Sequence, residues 1–239
     1  MAGSCWHLDA AEARLVRDKL TGRIALTAGK PSLAQIAYAG HTLGAARVLG
    51  VDVAATPTGM PYVRADDLVA TYLPRTDHQV QVYWRCSALV EMPETVAVDL
   101  QVSVQTDRLD SDAAQVATSS LPVGEVLRLV DSSAARFAPI EPSAVSISAA
   151  DGPGCLLFRP AKLGISYAEM IHASDFTEDR LAWRGAEITV EHRLFAMRLE
   201  KGVILRARVR GLFMPRAGDE LAAAAAYRDL LRAELPLTT

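Results

Sequence analysis

Cysteine is scarce in this sequence. The 239 residues include three cysteines, Cys5, Cys86 and Cys155, which are far apart and form no CxxC pair. An odd number of widely separated thiols supplies neither a disulfide framework nor the ligands of a structural zinc site. We therefore expect reduced thiols, as in a cytoplasmic protein, and no metal ion or other cofactor.

Long apolar segments are missing as well. No run approaches the ~18–20 residues of a membrane span, and the N-terminus lacks the apolar stretch of ~7–15 residues that a secretory signal requires. The formal net charge is −3, so no global field attracts the protein to nucleic acid or to an anionic membrane. These features predict a soluble, cytoplasmic protein that binds neither.

The common catalytic motifs are also absent. The sequence contains no HExxH pair, no GxSxG elbow, and no glycine pattern of a P-loop or a dinucleotide-binding fold. This disfavours zincins, α/β-hydrolases, kinases and Rossmann dehydrogenases. A function must therefore be inferred from the faces that the secondary structure would present.

Alternation of apolar and polar residues is the dominant pattern of the chain. It is clearest in TVAVDLQVSVQTD (95–107) and in HQVQVYWRC (78–86), where Trp84 falls in the apolar set. Segment 187–213 extends the pattern as two long strands, which a turn ending at Gly202 would join as a hairpin. Such strands are typical of an antiparallel sheet with one buried face. They predict a mainly-β fold, a large antiparallel β-sandwich.

The remaining segments allow a coarse division of the chain. Residues 9–20 fit either a helix or a strand, and we favour strands because regular turn residues follow at 18–22 and 29–31. Helices are predicted at 122–132 and at 218–235, the second with Asp219 as N-cap and with Leu221, Ala224, Leu231 and Leu235 packed on the body. We expect one domain over 1–239, with a division near residue 150 as the alternative.

The N-terminal segment resembles the opening of galactose-mutarotase-like β-supersandwich proteins. The matching residues are Asp18, Thr21 and Gly22 in a D-x-x-T-G-type turn, followed by Gly40 and Leu43 at the end of a later strand. The resemblance implies a large curved sandwich whose polar face binds carbohydrate. It also implies enzymes that use a histidine acid and a carboxylate base, without assigning either role to a residue of this chain.

Three arginines alternate in VILRARVRGLF (203–213). Arg206, Arg208 and Arg210 share one face of a strand, opposite an unbroken apolar set. If the strands at 78–86 and 95–107 join the same sheet, one polar face offers the donors and acceptors that sugar hydroxyls or small carboxylates need. The candidate ligand-binding residues on it are Tyr83, Arg85, Gln101, Gln105, Arg206 and Arg208. The alternative is a solvated face with ordinary cross-strand pairs.

The segment SYAEMIHASDF (166–176) is the densest cluster of acids and bases. Glu169, His172 and Asp175 are the candidate catalytic residues, because a histidine near carboxylates can act as a general acid or base. On a strand His172 would face away from Glu169, whereas a helix would stack all three residues. The alternative is a structural or surface histidine.

Two functions follow from these patterns. The first is a carbohydrate- or polyol-binding β-sandwich with a sugar or sugar-acid ligand, which a mutarotase- or epimerase-like protein would process by proton transfer. The second is a non-enzymatic β-sandwich that acts in protein association, such as a homo-oligomer, with the arginines in ion pairs between strands or between subunits.

Overall fold

The fold is built almost entirely of antiparallel β-strands. The computed structural model describes residues 4–53, 56–73, 78–89 and 91–233, and within these ranges it contains 21 strands and one helix. The mainly-β class and the large antiparallel sandwich are confirmed. In the same ranges, no helix is long and apolar enough to cross a membrane.

Ten strands form one sheet, here called sheet A. They are β1 (Trp6–Asp9), β2 (Glu12–Arg17), β3 (Leu20–Ala25), β4 (Leu33–Tyr38), β5 (His41–Thr42), β6 (Arg47–Val51), β12 (Gln115–Pro122), β15 (Val145–Ser148), β18 (Glu178–Arg184) and β19 (Glu187–Leu194). Their order in space is β1-β2-β3-β4-β6-β12-β19-β18-β15, with β5 paired to β4. The strands predicted for the N-terminal segment are therefore confirmed.

Nine strands form the second sheet, sheet B. They are β7 (Tyr62–Arg64), β8 (Asp67–Tyr72), β9 (His78–Ala88), β10 (Val96–Thr106), β13 (Gly124–Asp131), β14 (Arg136–Pro139), β16 (Cys155–Pro160), β17 (Ile165–Ile171) and β21 (Ile204–Pro215). Their order is β14-β13-β16-β17-β21-β10-β9-β8-β7. A small separate pair joins β11 (Ser111–Asp112) to β20 (Arg198–Leu199). Strands from before and after residue 150 are interleaved in both large sheets.

The apolar faces of the two sheets enclose the main core. Trp84 of β9 is fully buried, as predicted, and its indole N–H donates to the carbonyl of Leu49 in β6 at 3.1 Å. The Tyr72 hydroxyl likewise donates to the carbonyl of Leu26 at 2.9 Å. Large aromatic side chains of sheet B thus fill the core and also satisfy backbone acceptors of sheet A.

Helix α1 (Asp219–Arg232) packs on the outer face of sheet B, the face turned away from sheet A. Its small residues Ala223, Ala224 and Ala226 are buried there and let the helix approach the sheet closely. The predicted contact of Ala224 is confirmed, and those of Leu221 and Leu231 are wrong, because these two side chains are 69% and 36% exposed. Leu235 lies outside the described residues. The buried stripe of the helix is completed by Tyr227 and Leu230.

The predicted N-cap is wrong by one residue. Gly218, with a left-handed φ of 77°, occupies the cap position. The carboxylate of Asp219 turns away from the helix, accepting two hydrogen bonds from Arg159 at 2.9 and 2.7 Å and one from Ser166 at 2.6 Å. Asp219 therefore anchors the helix to the sheet and does not cap it.

Two further expectations are wrong, both because long-range pairing outweighs the local pattern. The helix predicted at 122–132 is strand β13, in which a Cβ on Gly124 would lie 2.0 Å from the carbonyl oxygen of Arg159 on β16. The hairpin predicted across Gly202 does not form, since β19 belongs to sheet A and β21 to sheet B.

Trp84→Phe should lower the free energy of unfolding by about 2–4 kcal/mol, because it opens a cavity and leaves the Leu49 carbonyl without its donor. Denaturant titration would measure the loss. Trp183→Phe, at a half-buried position of β18, is the matched control. An equal or larger loss in the control would contradict the role assigned to Trp84.

Candidate functional site

The polar residues predicted for one face do share it. In the register of sheet B, Gln101 of β10 lies between Tyr83 of β9 and Arg208 of β21, and Ser103 lies between Gln81 and Arg206. These side chains are on the outer face, beside α1. We call the part of this face over β7–β10 and residues 204–210 of β21 the open face, which the end of the helix borders at Arg208 and Arg210. It contains all six predicted ligand-binding residues, Tyr83, Arg85, Gln101, Gln105, Arg206 and Arg208.

A row of alternating charges crosses the open face at one end. The register aligns Arg64, Asp67, Arg85, Asp99 and Arg210 on five successive strands. Arg85 binds both carboxylate oxygens of Asp67, at 2.6 and 2.8 Å, and Arg210 binds both oxygens of Asp99, at 2.7 and 3.0 Å. Because bidentate pairs use the planar donor pair of each guanidinium, Arg85 and Arg210 are engaged in holding the sheet.

Arg208 connects the open face to the end of the helix. Its Nη2 donates to the carbonyl oxygens of Leu230 and Ala233, both at 3.2 Å, where the helix leaves acceptors unpaired. Burial lowers the pKa of Arg208, the charge of Asp99 opposes this, and the like charge of Arg210 adds to it. Among the described residues, the guanidinium group of this buried cation donates to neutral carbonyl groups.

Unsatisfied donors are concentrated next to Arg208. Among the described residues, four buried atoms of the open face have no hydrogen-bond partner, namely Gln101 Nε2, Ser103 Oγ, Arg206 Nε and Arg208 Nε. An unpaired buried polar group costs about 1–3 kcal/mol. Of the four residues, Ser103 and Arg206 line a pocket of about 50 Å³, together with Gln79, Gln81, Val104, Gln105 and Ile204. This cluster is the candidate ligand site.

The three predicted catalytic residues separate into two places. His172 and Asp175 lie in the loop after β17, where Ser174 Oγ is 2.8 Å from His172 Nδ1 and donates to Asp175 at 2.7 Å. Asp175 also accepts the backbone N–H of Arg208 at 3.2 Å. Glu169, by contrast, faces the core between the sheets. The loop therefore brings His172 and Asp175 to the edge of the open face without Glu169.

Glu169 belongs to a buried polar network that joins the two sheets. His192 Nε2 donates to Glu169 at 3.0 Å and its Nδ1 donates to Asp179 at 2.6 Å. The hydroxyl of Tyr167 donates to Glu169 at 2.8 Å, and Ser119 donates to the same oxygen. Gly211 leaves room for this arrangement, because a Cβ there would lie 2.6 Å from the Tyr167 hydroxyl.

One feature of the sequence does indicate this network, although it matches no catalytic motif. Ile188, Val190 and Leu194 form the apolar set of β19, and His192 interrupts that set as its single polar member. Asp179 occupies the inward position opposite His192 on β18. A histidine on the apolar side of an alternating strand thus indicates a buried polar contact, although its partners depend on strand pairing.

The charges of the network stabilise one another. Burial alone would lower the pKa of His192, but Asp179 and Glu169 outweigh it and raise that pKa to about 10. Burial would also raise the pKa of Glu169, but hydrogen bonds from His192, Ser119 and Tyr167 lower it. An imidazolium held between two carboxylates is the stable state of this network near neutral pH. In the parts of the chain that the structure describes, no cluster of His, Cys, Asp and Glu is suited to hold a metal ion.

Comparison with known proteins defines the fold but not the family. No protein-family model and no curated protein matches the sequence. Among solved structures, the chain is similar to a protein of Klebsiella pneumoniae described as a "putative aldose 1-epimerase", with a TM-score of 0.51, 9% identity, and coverage of 94% of this chain and 89% of that one. The predicted resemblance to galactose-mutarotase-like folds is thereby confirmed at the level of the fold.

A second similar structure is an α-N-acetylgalactosaminidase of Bifidobacterium bifidum in complex with GalNAc. The TM-score is 0.52 and the identity 12%. The match covers 91% of this chain and 38% of that enzyme, so the chain corresponds to one part of the larger protein. At such low identity, both likenesses concern the fold alone.

The buried network should make stability depend on pH above neutrality. Because the folded pKa of His192 lies above its ordinary 6.5, the stabilisation is complete below about pH 6.5 and is lost as the pH rises toward 10. The free energy of unfolding should therefore fall by up to ~1.4 kcal/mol per pH unit between about pH 7 and pH 9. Denaturant titrations at several pH values would measure this slope.

His192→Gln should remove that decline, whereas His172→Gln, in the loop after β17, should retain it and serves as the control. A wild-type free energy that stays flat over the same range would show that the buried ring is neutral, and this would contradict the imidazolium assignment.

Proposed function

We propose that the open face binds a hydroxyl-rich small molecule, a sugar or a related polyol. The observation that carries the proposal is the cluster of four buried donors without partners, on Gln101, Ser103, Arg206 and Arg208. Folded proteins rarely leave such groups unpaired, and a cluster of them on one face is favourable where a ligand completes the hydrogen bonds. Binding would offset an energetic cost that the free protein bears.

The chemistry of the face suits this ligand class. Sugar rings present many oxygen acceptors at short spacing, which match the side-chain amides, hydroxyls and guanidinium groups that alternate here over β9, β10 and β21. Tyr62, which is 45% exposed, lies in the same register row as Tyr83 and offers an apolar surface at the border of the face. The sugar-related descriptions of both similar structures support the same class.

Of the three predicted catalytic residues, the proposal for proton transfer keeps His172 and Asp175 and leaves out Glu169. Glu169 is already bonded to His192, Tyr167 and Ser119 inside the core. His172 and Asp175 lie in the loop next to Arg208 and are joined through Ser174. If the ligand is epimerised, His172 is the residue we assign as general acid or base, with Asp175 as its carboxylate partner.

Protein association through the arginine strand is the weaker proposal. It requires the arginines to be neutralised by acids in cross-strand or intersubunit pairs. Arg85 and Arg210 conform to that requirement, whereas Arg206 and Arg208 form no ion pair among the described residues. The absence of ion pairs at Arg206 and Arg208 among the described residues favours ligand binding over protein association.

Gln101→Leu should change stability and binding in opposite directions. The substitution removes a buried amide nitrogen that has no partner, so the free energy of unfolding should rise by about 1 kcal/mol. The same variant should bind its sugar at least tenfold more weakly, a loss of ~1.4 kcal/mol or more. Denaturant titration and calorimetry with a panel of hexoses and hexose acids would measure the two effects.

Gln81→Leu is the control for the stability effect. The amide of Gln81 already donates to Thr71 and accepts from Tyr83, so its replacement should stabilise nothing. Failure of the wild-type protein to bind any member of the panel would overturn the proposed function. A loss of stability in Gln101→Leu would show that the amide is satisfied by the fold.

A further inference from the structure

Arg206 and Arg208 on the open face form no ion pair among the described residues. Asp67 and Asp99 neutralise Arg85 and Arg210 through bidentate pairs. Within the described ranges, the guanidinium groups of Arg206 and Arg208 lie beyond ion-pair distance of any carboxylate. Burial makes the positive charge of Arg208 costly, and the carboxylates of Asp99, Asp175 and Asp229 offset this cost only in part, since none of them forms an ion pair with its guanidinium group. The face therefore carries a local excess of positive charge.

The unpaired atoms are all donors. Gln101 Nε2, Ser103 Oγ, Arg206 Nε and Arg208 Nε can each give a hydrogen bond, and the two strands place them as neighbouring cross-strand pairs. Gln101 and Ser103 are only 6% and 7% exposed, so bulk water does not readily satisfy them. A group that only accepts would complete this set most fully.

Two acceptors beside the cluster are already occupied. The Gln81 side-chain oxygen accepts from the hydroxyl of Tyr83, and the Gln79 oxygen accepts from the amide of Gln105 at 2.6 Å. A neutral hydroxyl brings a donor along with its acceptor oxygen, whereas three of the four unpaired atoms can only donate. Ionised carboxylates and phosphates bring acceptor oxygens alone, and they pair bidentately with a guanidinium group.

We propose that the ligand of the open face is an anionic sugar, whose carboxylate or phosphate is seated between Arg206, Ser103 and Gln101. The inference rests on the proposed function, because it specifies the ligand class of the same site. Arg206 supplies the charge and the planar pair of donors. Ser103 and Gln101 supply hydrogen bonds from the adjacent strand. Arg208, two residues further along β21, adds the electrostatic attraction of its positive charge.

Calorimetric titration of the full chain with galactose, galacturonate, galactose 6-phosphate and inorganic phosphate tests the proposal. At least one anionic sugar should bind ten times or more tightly than galactose, and its affinity should fall as sodium chloride is raised. The comparison of galacturonate with the 6-phosphate distinguishes the two sources of the anion. Equal affinity for galactose and both anionic sugars would overturn the anionic assignment and leave the proposed function standing.

Inorganic phosphate provides the converse test. If phosphate binds as tightly as galactose 6-phosphate while galactose does not bind, the anion site is supported and sugar binding is overturned. If none of the four compounds binds, both proposals are overturned.

Arg206→Lys should weaken binding of the anionic sugar about tenfold and that of galactose by less, because lysine retains the charge and loses the bidentate geometry. Its melting temperature should stay close to that of the wild type, since Arg206 forms no ion pair among the described residues. Arg180→Lys, on the outer face of sheet A, is the matched control and should not affect binding. An unchanged affinity in Arg206→Lys would overturn the role assigned to Arg206.

Discussion

Antiparallel pairing of β10 with β21 sets both the core and the open face, because ten consecutive residue pairs hold the two strands in one register. Val102 and Ala207 face the core, while the adjacent Ser103 and Arg206 face outward. A slip of one residue would carry the arginines into the apolar core and the valines onto the outer face. The register is therefore enforced by hydrophobic burial, and the polar face is arranged by the same energy that stabilises the sandwich.

The outer face of sheet B is used in three ways along β21. Its last outward residues, Leu212 and Met214, pack under the helix. Arg210 is next and holds Asp99 in a pair that the helix residue Asp229 extends at 3.1 Å. Arg208 then bonds to carbonyls at the end of the helix, and Arg206 lies beyond it. Ion pairing of the outward arginines therefore ends at Arg210, and the proposed ligand contacts lie beyond it along the strand.

Sequence patterns predicted the strands of the sandwich, the burial of Trp84 and the shared face of the arginines, because each of these depends on local alternation. They did not predict that β19 and β21 would enter different sheets, since a turn sequence does not determine which strands pair beyond it. The contacts of Glu169 across the sandwich were missed for the same reason, as they come from Ser119 of β12 and His192 of β19. In the helix, Asp219 looked like an N-cap, but Arg159, 60 positions away, competes for its carboxylate.

Buried polar groups occur on both sides of sheet B, and they differ in whether the fold completes them. Inside, Glu169 and His192 exchange hydrogen bonds with Asp179, Tyr167 and Ser119, and burial of these charges is tolerable because every one has a partner. Outside, the amide of Gln101 and the guanidinium Nε of Arg206 have none. The chain can satisfy a buried network of charges, so the unpaired outer donors are not explained by a general inability to pair polar groups. A ligand of complementary charge is the simplest partner for them.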